Sequence, residues 1–406
     1  MTIHRGRFWV AGYVALFLLS STRGAGAQAP PILPSTRIVQ AGPASLYPAV
    51  SLRNVGTDSN VYNDGASPKE DFTYTFTPRL FAVVPIGGTR FVGSGSGDFI
   101  YYRTYTDQQT VNAQFNGRYD VVDAAIRPFA AVSLATHRER QGLEIDARAR
   151  QTQTMVMLGG EVELTGLTSL TAWVRRENTS WDEDERYMGV LLAEQLNSTS
   201  ETLAAGARFR LTPFTSVTVA AEIQRERFER APARDADSLR IAPTMEFDSG
   251  AAITGRAQAG YRAFRLLSAA ASGYRGFVAS AGLRYAFDDI TRLYFDGGHD
   301  VKYSFDPLQP FYIESGLRVR LIQRIAGPFE AVATAERWQL RHQRVGGRSF
   351  DGREESTTTL GGGIGLRFSR EMEMTFTIDR TRRTSSDPVG RGFERRRVLA
   401  SISYGL

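Results

Sequence analysis

Four histidines, no cysteine and scattered carboxylates are what the 406-residue chain offers for catalysis or metal binding. His4, His137, His299 and His342 stand far apart in sequence, and no nucleophile motif accompanies any of them. Nucleophilic catalysis needs a nucleophile beside its base. The histidines are therefore expected to be solvated surface side chains, with His4 leaving on a signal peptide. The absence of cysteine excludes thiolate metal sites, disulfides and a lipid anchor on an N-terminal cysteine. The stretch WDEDER, Trp181–Arg186, places four acids together. Clustered carboxylates could hold a divalent cation between lipopolysaccharide molecules, although a solvated loop is the expectation. GSGSGD at Gly93–Asp98 and GGGIG at Gly361–Gly365 resemble phosphate loops, but no helix start follows either. They are expected as strand glycines that permit curvature or close backbone approach. No catalytic residue, metal ligand or cofactor is expected.

The charged residues that do carry a pattern sit at every second position. In FVASAGLRYAF, Phe277, Ala279, Ala281, Leu283, Tyr285 and Phe287 share one face, and Ser280, Gly282 and Arg284 the other. After a turn at Asp288–Ile290, Leu293, Phe295 and Val301 continue the apolar face, with Arg292, Asp296 and Asp300 opposite. The stretch Leu360–Ile378 repeats the design around a turn at Ser369-Arg370. Period-two alternation is the mark of a strand with one greasy and one polar face. The same pattern places Arg284, Asp296, Glu314, Arg318, Arg320, Arg367, Glu373, Asp379, Arg395 and Arg397 on one polar surface. They are expected to line a wet interior, where rings of charge tune which solutes pass.

The ends say where such strands belong. Arg5 and Arg7 precede an apolar run, Phe8–Leu19, and then RGAGAQAP, which places small residues at a cleavage site after Ala27. That is the layout of a secretory signal peptide, and the run is shorter than the roughly 20 residues a spanning helix needs. Loss of Arg5, Arg7 and Arg23 with the signal lowers the formal charge from +6 to +3, which is not a nucleic-acid binder's balance. Residues 28–46, rich in proline and small side chains, are expected as an extended periplasmic leader. Residues 47–406 are expected as a single domain.

Alternating segments recur about 18 times, or 16 if the poorly patterned stretches around Ser198 and Ser238 are not strands. Short connections such as Pro85–Gly88, Asp123–Ala125, Thr212–Phe214 and Ser369–Glu371 alternate with long polar ones such as Thr57–Glu70, Glu139–Gln151, Trp181–Asn197 and Arg341–Glu355. Short periplasmic turns and long outside loops characterise transmembrane β-barrels. Phe209, Phe214, Phe247, Phe287, Phe329, Phe368 and Tyr404 gather near the short turns, as an interfacial girdle would. The last stretch, VLASISYGL, reads as a strand that closes the ring against Tyr47–Gly56, because lipid cannot satisfy an open sheet edge. Its alternation resembles the terminal signal read by the barrel-assembly machinery, with Leu406 replacing the usual aromatic.

The first strand and its loop, SLRNVGTDSNVYND, contain Asp58-Ser59-Asn60-Val61-Tyr62. This stretch resembles the opening of an outer-membrane β-barrel porin family often found with exopolysaccharide-export or protein-sorting systems. The resemblance implies an outer-membrane barrel and brings no catalytic residues. The expectation is an all-β, single antiparallel transmembrane barrel in the outer membrane that is not an enzyme. It would form a water-filled channel for passive diffusion of small solutes. The alternatives are an envelope polysaccharide export or anchoring component, and a structural barrel whose lumen is occluded by inward-folded loops, Trp181–Asn197 being the longest. Expected partners are outer-membrane lipid, lipopolysaccharide, the assembly machinery, and a small solute or polysaccharide. The oligomeric state is left open.

Overall fold

The computed structural model describes residues 38–405, apart from 141, 249–251, 269–272, 289, 347–351 and 388–390. The expected signal peptide, most of the leader and Leu406 lie outside the described residues.

One antiparallel sheet holds nineteen strands: eighteen long staves and the short strand Val39–Ala41. Each stave pairs with its sequence neighbours. The last, Phe393–Tyr404, pairs with the first, Ala44–Asp58, through Val50↔Tyr404, Leu52↔Ile402 and Asp58↔Arg397. The sheet is thereby closed and every stave has two partners, as a hydrocarbon environment demands. The first stave begins at Ala44, slightly earlier than expected. Its lead-in folds back through the Gly42-Pro43 turn, pairing Val39 with Leu46. Gly42 has φ +58 there, which glycine tolerates without steric cost.

The closing seam carries a bulge. Pairing shifts between Leu52 and Val55 against the last stave and between Arg53 and Gly56 against the second, with Asn54 at φ 56. The Asn54 backbone N–H donates to Ser401 Oγ at 3.3 Å. One extra residue bends a strand and raises its twist, here at the join of first and last staves.

The alternation sorts the side chains as amphipathic strands require. Leu80, Phe99, Leu158, Phe277, Leu360, Ile364, Ile378 and Val398 are exposed on the outer face. Thr75, Thr77, Asn112, Gln153, Thr202, Glu222 and Glu330 are buried on the inner one. An exposed apolar band of this extent marks a surface that meets lipid. Of the expected girdle, Phe209, Phe214, Phe287, Phe329, Phe368 and Tyr404 are exposed, and Phe247 is half-buried. No helix among the described residues is long and apolar enough to cross a membrane.

Both glycine-rich stretches are strand interiors. At Gly363 a Cβ would lie 1.9 Å from the Phe376 carbonyl oxygen, so the neighbouring backbone needs glycine there.

Candidate functional site

The inner wall is a mesh of arginine–carboxylate pairs within single staves, between neighbouring staves and between staves further apart. Arg53 meets Asp98 at 2.9 Å and Arg118 meets Asp120 at 2.7 Å. Arg292 bonds Glu330 at 2.5 Å and Glu373 at 3.2 Å, and Arg367 approaches Glu330 at 3.7 Å. Arg318 pairs with Glu336 at 2.5 Å, Arg397 with Asp379 at 2.9 Å, and Arg395 donates from Nε to Asp58 at 2.8 Å. Antiparallel register sets the meetings between adjacent staves. Arg318 stands opposite Glu336 and Asp296, and Asp379 opposite Arg397. Glu314 is buried opposite Asp300, which holds Arg262 at 2.9 Å.

Arg284 and Arg320 stand outside these pairs, as Arg324 does. Each is half-buried, each has a buried Nε without a hydrogen-bond partner, and neither forms an ion pair among the described residues. Tyr294 stands between them in register, its ring 5.7 Å from the Arg284 guanidinium.

At the long-loop end, loops from opposite sides of the ring meet one another. Residues 141–147 follow the fifth stave and carry Glu144 to loops that follow the thirteenth and fifteenth, almost diametrically opposite in a ring of eighteen. The Glu144 carboxylate accepts from Ser304 Oγ at 2.6 Å, Arg353 Nη2 at 2.6 Å and the Phe305 N–H at 3.2 Å. It meets His342 Nε2 at 3.0 Å. Glu144 is 2% exposed and His342 0%. Burial pushes the Glu144 carboxyl up, but His342, Arg353 and Ser304 together outweigh it and leave it below its ordinary value.

The network continues outward. Arg353, Arg383 and Arg391 converge on Glu355 at 3.0, 2.8 and 2.9 Å. Asp146 takes Arg140 at 2.9 Å, Arg383 at 3.4 Å and a hydrogen bond from Asn63 at 2.6 Å. Beside it lies an apolar floor of Ile145, Ala149, Trp181, Leu192, Ala193, Leu196 and Phe305. The one-turn helix Leu192–Leu196 supplies three of these side chains, so the Trp181–Asn197 loop packs into the mouth. Arg234 ties the next loop in, donating to Gln195 and to the Pro310 carbonyl at 3.1 Å each; burial lowers it to about 10.

The solvated histidine expected at 342 is thus corrected: inward folding of loops separated by about half the chain encloses it. His299 is half-buried on its stave and meets Ser315 Oγ at 2.7 Å. Three of the four acids of Trp181–Arg186 have arginine partners: Glu183 holds Arg230 at 2.6 Å, Asp182 approaches Arg150 at 3.6 Å and Glu185 approaches Arg138 at 3.6 Å. Among the described residues no group of three or more histidine, aspartate or glutamate side chains could hold a metal ion. Sequence reasoning missed Glu144, Arg353, Glu355 and Arg383 as a unit. Their only local signal is charge inside long loops and at stave ends.

Among solved structures, the fold resembles OccK2 (OpdF) of Pseudomonas aeruginosa at 11% identity, TM-score 0.48, covering 89% of this chain and 98% of that one. It also resembles opdK of the same organism at 12% identity, TM-score 0.46, with the same coverage. The FrpB iron transporter from Neisseria meningitidis matches at 10% identity, TM-score 0.41, covering 84% of this chain and 62% of that one. No curated protein matches the chain by sequence. The match that spans the barrel is to a family, over residues 39–404. This chain belongs to the outer-membrane β-barrel family described as "Putative beta-barrel porin 2".

Proposed function

We propose that the protein is a porin-type channel for passive diffusion of small solutes, closed at its outer mouth by a loop latch. The charged residues expected to line the lumen line it in this reading. The ten residues on the inner wall present fixed guanidinium and carboxylate groups to a water-filled path. A barrel of this strand number is too wide for side chains alone to fill, so closure falls to the loops. The observation that carries the latch is Glu144. Its carboxylate crosses from one wall into a cage of donors on the other and is buried there. A buried, fully bonded charge of this kind is costly to withdraw, on the order of 3–5 kcal/mol when one partner is lost.

Lipid and lipopolysaccharide are the natural partners of the exposed apolar band. The closing strand Phe393–Tyr404 is the segment the assembly machinery would read. The family is one of channels, and no enzymatic role enters this reading.

Liposome swelling tests it. Vesicles carrying the refolded wild-type protein should swell slowly in a small neutral sugar, and those carrying Glu144→Gln severalfold faster. Equal rates for both would remove the latch. Absence of swelling with either, from a folded and heat-modifiable barrel, would remove the channel.

A further inference from the structure

We infer that Arg284, Tyr294 and Arg320 form an oxyanion-binding clamp on the inner wall, taking the carboxylate or phosphate group of a passing solute. The inference rests on the porin reading for the solute's route, although the clamp itself is a property of the wall. The three residues occupy one row of the sheet: Thr254, Arg284, Tyr294, Arg320 and Thr334 are successive register partners.

Neighbouring staves are about 4.8 Å apart, so the two arginine Cα atoms stand roughly 10 Å apart across the tyrosine. That separation lets two long side chains reach one bound group between them. The planar fork of arginine matches carboxylate and phosphate geometry in a bidentate manner.

Among the described residues a buried Nε without a partner recurs at other arginines, Arg324 among them; what sets this row apart is two such arginines flanking one tyrosine in register. Arg318 and Arg397 each meet a carboxylate in a neighbouring stave, and Arg292 meets Glu330 and Glu373 two and four staves away. Arg284 and Arg320 have no such partner among the described residues, and the Nε of each is buried without an acceptor. A desolvated donor without an acceptor costs free energy, and an incoming oxyanion supplies both the acceptor and the counter-charge. Space is available beside the row. A Cβ at Gly282, one step along the inner face from Arg284, would come no closer than 3.6 Å to any atom, and that atom is Asp296 Oδ1, so an acid borders the space on the side away from Arg320. Tyr294 adds a phenol that can donate to the same anion.

The row lies in the half of the barrel nearer the short turns, and the Glu144 latch closes the other end. A bound anion therefore reaches the clamp from the periplasmic side with the latch shut.

The test is equilibrium binding to the full folded chain in detergent, read by line broadening of carbon-labelled succinate and, separately, of inorganic phosphate. It requires no current, so its outcome is independent of whether the protein conducts. Arg284→Gln and Arg320→Gln should each weaken binding by about tenfold, the loss of one charge-assisted bond. Arg397→Gln removes the same charge from an arginine already held by Asp379 and should leave affinity unchanged. Broadening of either anion that is lost in both clamp variants supports the clamp, and which anion responds identifies the solute's group. An equal loss in Arg397→Gln, or no binding of either anion to the wild type, overturns it.

Discussion

At the scale of single residues, Glu144 has the most demanding environment in the protein: a carboxylate with Ser304, Phe305, His342 and Arg353 around it and almost no solvent. Arg383 donates to its backbone carbonyl at 3.3 Å, and behind Arg353 stand Glu355 and Asp306. The carboxyl is held below its ordinary 4.5 in the closed mouth. Released into water it would return to that value, so the closed state binds fewer protons than the open one. The contribution of Glu144 to closure is therefore complete above about 4.5 and is lost as the pH falls through the depressed value. Permeability of wild-type vesicles should stay level from neutral pH down to about 5 and rise below 4.5. In Glu144→Gln vesicles that rise should be absent, and a rise of the same size in both would assign it to other groups. None of this was legible at position 144 in the sequence. A glutamate in a long polar loop looks solvated, and its histidine partner lies 198 positions away.

At the scale of elements, the alternation was legible because a strand's two faces meet different solvents at every step. FVASAGLRYAF forms a strand as read, with Phe277, Tyr285 and Phe287 exposed and Arg284 half-buried. Reading failed where a stave rises past the lipid. Val301, expected on the outer apolar face, is 6% exposed in a cluster with Phe264, Leu266, Phe311 and Ile313. Once packed loops replace lipid and water, period two no longer separates the faces. The bulge at Asn54 was equally invisible, since it answers to the closing geometry of the ring.

Glycine gives a testable contrast between elements. Gly363→Ala would press a methyl onto the Phe376 carbonyl and should destabilise the barrel by about 1–3 kcal/mol. Gly95→Ala, where the nearest atom is 3.9 Å away, should cost well under that. Urea titration of the vesicle-folded barrel, followed by tryptophan fluorescence, measures both. Similar losses would show that the close approach at Gly363 is not the limiting contact.

At the scale of the whole molecule, two surfaces divide the labour. The outer band makes the protein a resident of the outer membrane. Leu360→Arg, 60% exposed on that band, should cost about 2–4 kcal/mol in the same titration. An inward exchange such as Thr334→Arg would meet water and charge instead, and should cost much less. The inner surface divides again into a meshed wall, where most arginines are neutralised in place, and a mouth tied across by its loops. The ring followed from sequence because amphipathic strands recur with short and long connections alternating. The closure of the mouth did not, because it is made by loops whose contacts no local pattern specifies.

Single-channel recording of the refolded protein in a planar bilayer, wild type beside Glu144→Gln, tests this account most directly. It predicts stepwise currents from the wild type at neutral pH that are brief and separated by long closures, and long-lived openings of the same conductance from the variant. A wild-type channel that stays open, with dwell times unchanged by Glu144→Gln, would contradict the latch, and silence from both proteins would contradict the channel.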